Sequence, residues 1–358
     1  MTSHQQALHQ QTAPADADRP TSMNAWTTRG DGVENLRRGQ VPIPAPGPAE
    51  VLLKMTAWSL NYRDLLVIGG IDGWKPSTDV VPISDGVGTV VAAGPAVTRL
   101  KVGDRVSATF LPKWRRGPLT RGDYQRPVGG PVNRGMLAEY VLLDEEEAAH
   151  APASLTDAQA ATLPVAAVTA WHAIARRSCV QPGDTVLIHG TGGVALFALQ
   201  IATALGARVA ITSSSDTKLA RARDMGAVAT INYRTHSDVA LPVLEWSGPE
   251  GVDHVIETIG GDNLNLSLQT VKVGGTISFI GLIAGQTASV STYEFVTKNV
   301  TIHGIETGSR EMLEELAAFI DRHGVQPVID STWPIDQVAD ALAYLRDGRH
   351  FGKIVLTP

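Results

Sequence analysis

A single cysteine, Cys179, occurs in the 358 residues. One thiol forms no intrachain disulfide, and a thiolate zinc centre needs several cysteines at close spacing, so both devices are excluded. Positive charge is not in excess either. Thirty Lys and Arg stand against 36 Asp and Glu, a net charge of −6, which gives no long-range attraction to nucleic acid or to an anionic membrane. No apolar run reaches the ~18 residues of a bilayer-spanning helix. Residues 1–22, rich in Gln, Ala and Asp, lack the basic start and apolar centre of a signal peptide and read as a disordered tail. These absences predict a cytoplasmic protein whose partner is a small molecule rather than a nucleic acid or a membrane.

What is present is glycine, 35 residues of it, in a chain that is 43% hydrophobic and 18% charged, as suits a globular protein with many tight turns. The length suggests about two domains. From Val41 to Leu143 the chain reads as short strands cut by Gly and Pro, such as VLLKMTAWSL, GVGTVVAAG and DRVSATFL, which predicts a compact barrel. Pro112–Gly135 has almost no periodicity and reads as a long exposed loop, a length usually associated with function or mobility. Beyond Ser154 the pattern changes. An Ala-rich helical stretch interrupted by Pro164 leads into alternating strands and helices, with TVLIHG, RVAITSS, VATINY, HVIETIG, TISFIGL and TIHGI as the strands. That alternation predicts an α/β fold containing a doubly wound parallel sheet.

The strongest local motif is His189-Gly190-Thr191-Gly192-Gly193-Val194-Ala195, which follows an apolar strand and opens a helix. This is the context of a dinucleotide fingerprint: Gly190 permits the tight turn, Gly192 lets a pyrophosphate approach the backbone, and Ala195 allows close packing. The helix N-terminus offers free N–H groups to the phosphates. At the end of the next strand, where an NAD site places a carboxylate for the ribose, the sequence has Ser213-Ser214-Ser215. Ser213, Ser214, Lys218, Tyr233 and Arg234 can surround a 2′-phosphate, which predicts NADP(H). The plainer alternative is that Ser215 or Asp216 caps the next helix and Lys218 is solvated.

Further segments are Ser59-Leu60-Asn61-Tyr62-Arg63-Asp64-Leu65, Gly86-Val87-Gly88, Lys101–Val106 and His350-Phe351-Gly352-Lys353-Ile354-Val355-Leu356. With the Gly190–Ala195 turn they resemble the medium-chain dehydrogenase/reductase superfamily over Met23–Pro358. The resemblance implies a GroES-like, mostly β substrate domain and a Rossmann domain. The expected division is 23–153 for the first part of the GroES-like domain, 154–300 for the Rossmann domain and 301–358 for the return. It also implies a cofactor cleft between the domains and a homodimer, the latter supported by an apolar TISFIGL strand near the sheet edge. Where zinc members of the superfamily have their catalytic ligands, this chain has Asn61, Ser84 and Val165, so no metal site is expected.

The resemblance is therefore to the zinc-independent branch, which includes quinone oxidoreductases and enone reductases. It implies NADPH-dependent hydride transfer to a quinone, an enone or a similar activated alkene. Metal-free carbonyl reduction and a non-catalytic NADPH-binding sensor are the alternatives. Asn61 and Tyr62 are the catalytic candidates: Asn61 to hydrogen-bond a substrate carbonyl or the ribose, Tyr62 to donate a proton or line the pocket. Gly190, Thr191, Gly192, Gly193, Val194, Ser213, Ser214, Lys218, Tyr233, Thr258, Gly260, Ile280, Gly281, Leu282, Phe351, Gly352 and Lys353 are expected to contact the cofactor. Trp74, Trp114, Tyr293 and Phe295 are apolar candidates for the substrate pocket.

Overall fold

The computed structural model describes residues 20–358; most of the expected tail lies outside them. Two sheets organise the chain. A pair of antiparallel strands, β1 (Ser22–Thr27) and β2 (Arg37–Pro42), precedes them. The first sheet takes β3 (Glu50–Ser59), β4 (Asp85–Ala93), β5 (Arg105–Ala108), β6 (Tyr140–Asp144) and β7 (Ala148–His150). The chain then builds a second sheet from β8 (Thr185–His189), β9 (Arg208–Ser213), β10 (Ala229–Asn232), β11 (Val252–Glu257), β12 (Val271–Phe279) and β13 (Thr301–Gly304). Finally β14 (Ile329–Pro334) and β15 (Lys353–Thr357) return to the first sheet, whose order is β14-β15-β3-β4-β5-β7 with β6 also on β3.

The second sheet has the order β10-β9-β8-β11-β12-β13 and every recorded pairing in it is parallel. Its inner strands are largely buried and rich in Val, Ile, Leu and Ala, as a sheet covered on both faces requires; β8 is buried at all five positions. The order reverses at β8, so the crevice beyond the carboxyl ends of β8 and β11 is where a ligand of such a sheet sits.

Two expectations need correction. The Rossmann sheet does not end at residue 300, because β13 pairs with β12 in register and the Arg310–His323 helix still packs on that domain; the return begins at β14. The edge strand is β13, and TISFIGL, within and just beyond β12, is paired on both sides. The helix widens at Pro164, where Leu163–Ala167 is wound with i→i+5 bonds, and again at His172–Arg177.

Packing welds the domains together. One hydrophobic core holds Ala57, Val87 and Phe110 of the β domain together with Leu163, Ala166, Val186, Ile188 and Leu199 of the parallel-sheet domain. Separate cores fill the β domain, around Leu53, Trp58, Ile83 and Leu356, and the far face of the parallel sheet, around Val243, Val255 and Ile277.

Candidate active site

A cavity of about 550 Å³ opens between the domains at the carboxyl edge of the parallel sheet. The chain leaves β8 through Gly190, whose φ of +82° suits glycine, and passes Thr191 and Gly192 into the Gly193–Ala204 helix. A Cβ at Gly192 would meet nothing within 4 Å, so the turn faces the open cavity. A Cβ at Gly193 would lie 2.5 Å from Lys353 Cδ, a contact only glycine avoids. The helix that follows is buried along Ala195–Leu199, which holds its free N-terminal amides towards the cavity. Room above Gly192 and unpaired amides around it fit a dinucleotide pyrophosphate.

The other domain is hydrogen-bonded to that turn. Gly352 N–H donates to Thr191 O at 3.1 Å, and Gly192 and Gly352 pair as a parallel bridge. At the far end of the turn Ser213 is 3% exposed with its Oγ 3.4 Å from Thr191 Oγ1. Lys218 Nζ donates to Gly348 O at 3.0 Å and His350 O at 2.8 Å, tying the Asp216–Asp224 helix to the return segment. Its burial lowers its pKa, and desolvation pushes the half-buried His350 beside it down to about 4. Ser215 does cap that helix, accepting from Lys218 N–H. The expected cofactor residues Ser214 and Tyr233 line the cavity here, and so do Arg346 and His350. Arg234 does not.

Thr258, Ile280, Gly281 and Leu282 line the cavity at the ends of β11 and β12. The buried Glu257 carboxylate shapes the first of these turns by accepting from Ile259 N–H, Gly260 N–H, Asn263 Nδ2 and Ser267 Oγ. Two expected contacts fall elsewhere. Gly260, at φ +78°, is a packing glycine, where a Cβ would meet Gly281 O at 2.1 Å. Phe351 is buried, with the Arg221 guanidinium 4.0 Å over its ring, and does not reach the cavity.

Beyond the turn lies a buried polar cluster. Lys353 Nζ, on β15, donates to Leu60 O at 2.7 Å and Asn61 Oδ1 at 2.6 Å, and lies 3.5 Å from Asp85 Oδ2. Asn61 Nδ2 donates to Asp85 Oδ2 at 2.8 Å and to Ser84 Oγ at 3.2 Å. Asp64 accepts from Asn61 N–H at 2.9 Å and from Ser84 Oγ at 2.8 Å, fixing the start of the Tyr62–Ile68 helix. Burial pushes Asp85 up to about 6 against the pull of Lys353, and burial lowers Lys353. The expected role of Asn61 is thereby altered: both ends of its amide are committed inside the protein, so it orients Lys353 rather than offering a free donor to a carbonyl.

Tyr62 is 42% exposed and lines the cavity. Around it Leu66, Trp74, Phe110, Val165 and Ile305 form an apolar wall, and the long loop adds Tyr124 and Pro127. Of the aromatic candidates only Trp74 is in place; Trp114 packs edge-on against His172 in the core, and Tyr293 and Phe295 lie outside the cavity. The sequence reading missed Glu306, Arg346 and Tyr124, which have no motif around them and reach the cavity only through the fold.

The sequence matches the alcohol dehydrogenase GroES-like domain family over residues 47–153 and the zinc-binding dehydrogenase family over 193–322. It is 38% identical over 332 residues to a zinc-type alcohol dehydrogenase-like protein of Schizosaccharomyces pombe, covering 91% of this chain and 96% of that one. The chain belongs to the medium-chain dehydrogenase/reductase superfamily. It is therefore an oxidoreductase using a nicotinamide cofactor. An NAD-dependent alcohol dehydrogenase structure is 31% identical, with a TM-score of 0.85 over 94% of this chain and 100% of that one. The 2-octenoyl-CoA carboxylase reductase CinF, in complex with NADP and 2-octenoyl-CoA, is 26% identical with a TM-score of 0.85, over 95% of this chain and 88% of that one.

The zinc in the family's description does not fit this member of the superfamily. Val165 has no ligand atom, Ser84 is hydrogen-bonded to Asp64, and the Lys353 ammonium already sits 2.6 Å from Asn61 Oδ1, so a second cation there would be repelled. Among the described residues no group of three or more His, Cys, Asp or Glu is placed to hold a metal ion.

Proposed function

We propose that this oxidoreductase reduces an activated alkene, an enone or quinone, with NADPH and without a metal. One observation carries the reading: a hydrogen-bonded Asn61–Lys353–Asp85 cluster stands where zinc members hold their Lewis acid, beside the apolar wall of Leu66, Trp74, Phe110, Val165 and Ile305. A carbonyl acceptor needs strong polarisation of its oxygen, whereas a conjugated acceptor spreads the arriving charge and needs mainly alignment. When bound, the cofactor supplies a hydride from its nicotinamide. The residues proposed to hold it are those of the Gly190–Val194 turn, the strand ends Thr258 and Ile280–Leu282, and Gly352. Tyr62 faces the apolar end and aligns the acceptor, and the walls from Leu66 to Phe110 exclude water. CinF, a reductase that binds NADP and an enoyl thioester, supports the alkene reading by analogy.

The NADPH preference rests on Ser213 in place of a carboxylate and on Lys218 and Arg346 beside it. A charge-assisted hydrogen bond contributes about 1.5–3 kcal/mol, so Lys218→Ala weakens NADPH binding about tenfold or more and leaves NADH nearly unchanged. Ser213→Asp lowers or reverses the preference. Exposed Tyr293 and Val296 beside edge strand β13 support a homodimer, which light scattering tests. Steady-state oxidation of NADPH and NADH across quinones, enones and aldehydes tests the whole reading. Turnover of enones or quinones with NADPH, insensitive to chelators, is expected. Turnover confined to aldehydes or alcohols, or equal affinity for the two cofactors, overturns it.

A further inference from the structure

With both ends of the Asn61 amide and the Lys353 ammonium engaged by the protein, neither of these groups is free to supply the proton that completes a reduction. Glu306 lines the same cavity, on the turn that follows β13 at the carboxyl edge of the parallel sheet. That turn is fixed by Ile305 N–H donating to Phe279 O at 2.9 Å and by the His172 ring, whose Nδ1 lies 3.0 Å from Glu306 O. Among the described residues the Glu306 carboxyl has no ion-pair partner within 4.0 Å. It accepts from Thr307 N–H. Arg63 lines the same cavity, with its guanidinium 5.3 Å from the Trp74 ring and 4.8 Å from the Phe110 ring. Arg63 Nη1 is engaged by Asp64 and by Val128 O and Gly129 O, while its Nε and Nη2 are buried without partners.

We propose that Glu306 is the general acid of this site, with Arg63 as the positive charge that receives it once its proton is gone. The inference rests on the alkene-reductase reading. Hydride addition at the β carbon of an enone forms a C–H bond and leaves an enolate; the two electrons come from the dihydronicotinamide, which is oxidised. The Glu306 O–H bond then breaks, a C–H bond forms at the α carbon, and the carboxylate regains a proton from solvent. Burial raises the Glu306 carboxyl above the usual range, with Thr307 N–H and Arg63 pulling the other way. The other titratable groups facing this turn are the Tyr124 hydroxyl, raised by burial and by Glu306, and His172, held neutral by burial.

The test is enone turnover by wild type, Glu306→Gln and Glu306→Asp as a function of pH. A general acid is typically worth 10²–10⁴-fold, so E306Q loses about a hundredfold or more in kcat. In wild type kcat falls as pH rises through the Glu306 ionisation; E306Q lacks that limb and E306D retains it. Infrared difference titration of the cofactor-free protein gives an independent readout: a protonated carboxyl persisting above the ordinary range in wild type and absent in E306Q. Unchanged NADPH affinity and unfolding midpoint show that E306Q is folded. Wild-type turnover with the same pH limb in E306Q, or no Glu306 carboxyl band, overturns this inference alone. Wild type inert towards every activated alkene overturns the alkene-reductase reading and this inference with it.

Discussion

The two walls of the cavity are built in opposite ways. The Gly190–Val194 turn is one short stretch of chain that meets its ligand with backbone amides and empty space, and its requirements are glycine and a helix start. The Asn61–Asp64–Ser84–Asp85–Lys353 cluster draws side chains from segments nearly 300 residues apart, all buried and hydrogen-bonded to one another, with Asp85 Oδ1 alone left without a partner among the described residues. A backbone cradle tolerates a neighbour's loss in stability and pays in affinity. A buried ionic cluster does the reverse, because removing one member leaves the rest desolvated and unmatched.

The contrast is broken most sharply at Lys353. Lys353→Met leaves the Asp85 carboxylate without its cation and is expected to cost about 3–5 kcal/mol of stability in denaturant unfolding at pH 8. The cost shrinks at pH 5, where Asp85, raised to about 6, can protonate instead. A loss of cofactor affinity at unchanged stability would show that Lys353 belongs to the cradle.

Asp85→Asn sharpens the same point through pH. A carboxyl raised from 3.8 to about 6 binds its proton more tightly folded than unfolded. Its stabilising contribution is present below the unfolded value and is lost as pH rises through about 6. Asp85→Asn removes that titration, so the variant gains on wild type between about pH 4 and 6, by on the order of 2–3 kcal/mol. A difference that is flat with pH would mean the Asp85 carboxyl is not raised.

At Gly192 the expected balance inverts. A methyl there meets nothing in the protein, so Gly192→Ala should change stability by less than about 1 kcal/mol. The methyl occupies the space proposed for the pyrophosphate, and cofactor affinity measured by fluorescence titration should fall about tenfold, about 1.4 kcal/mol. Full affinity would place the phosphates elsewhere. The smallest effect is at Ser215, whose long 3.4 Å cap bond to Lys218 N–H makes Ser215→Ala worth about 0.5–1 kcal/mol in unfolding, without a change in the choice between NADPH and NADH.

The sequence by itself determined whatever depends on neighbours along the chain. The β–α alternation with its apolar strands and the glycine turn before a helix are both of this kind; that 61, 84 and 165 carry no zinc ligand followed from the family resemblance. Only the tertiary structure decided which side chains are free. Asn61 reads as an open donor until Lys353 and Asp85 arrive from β15 and β4 to close both ends of its amide. Phe351 sits in a motif that meets the cofactor turn, yet alternation along its segment points it under Arg221 while Gly352 takes the bridge. Gly260 and Gly281 look alike in sequence and neither has room for a Cβ, but only Gly281 lines the cavity. Glu306 carries no motif because its position is set by the register of β13 against β12 and by His172, which meets its backbone carbonyl from more than 130 residues away. Hydrogen-bond commitment and burial are properties of pairs distant in sequence, and no local pattern encodes them.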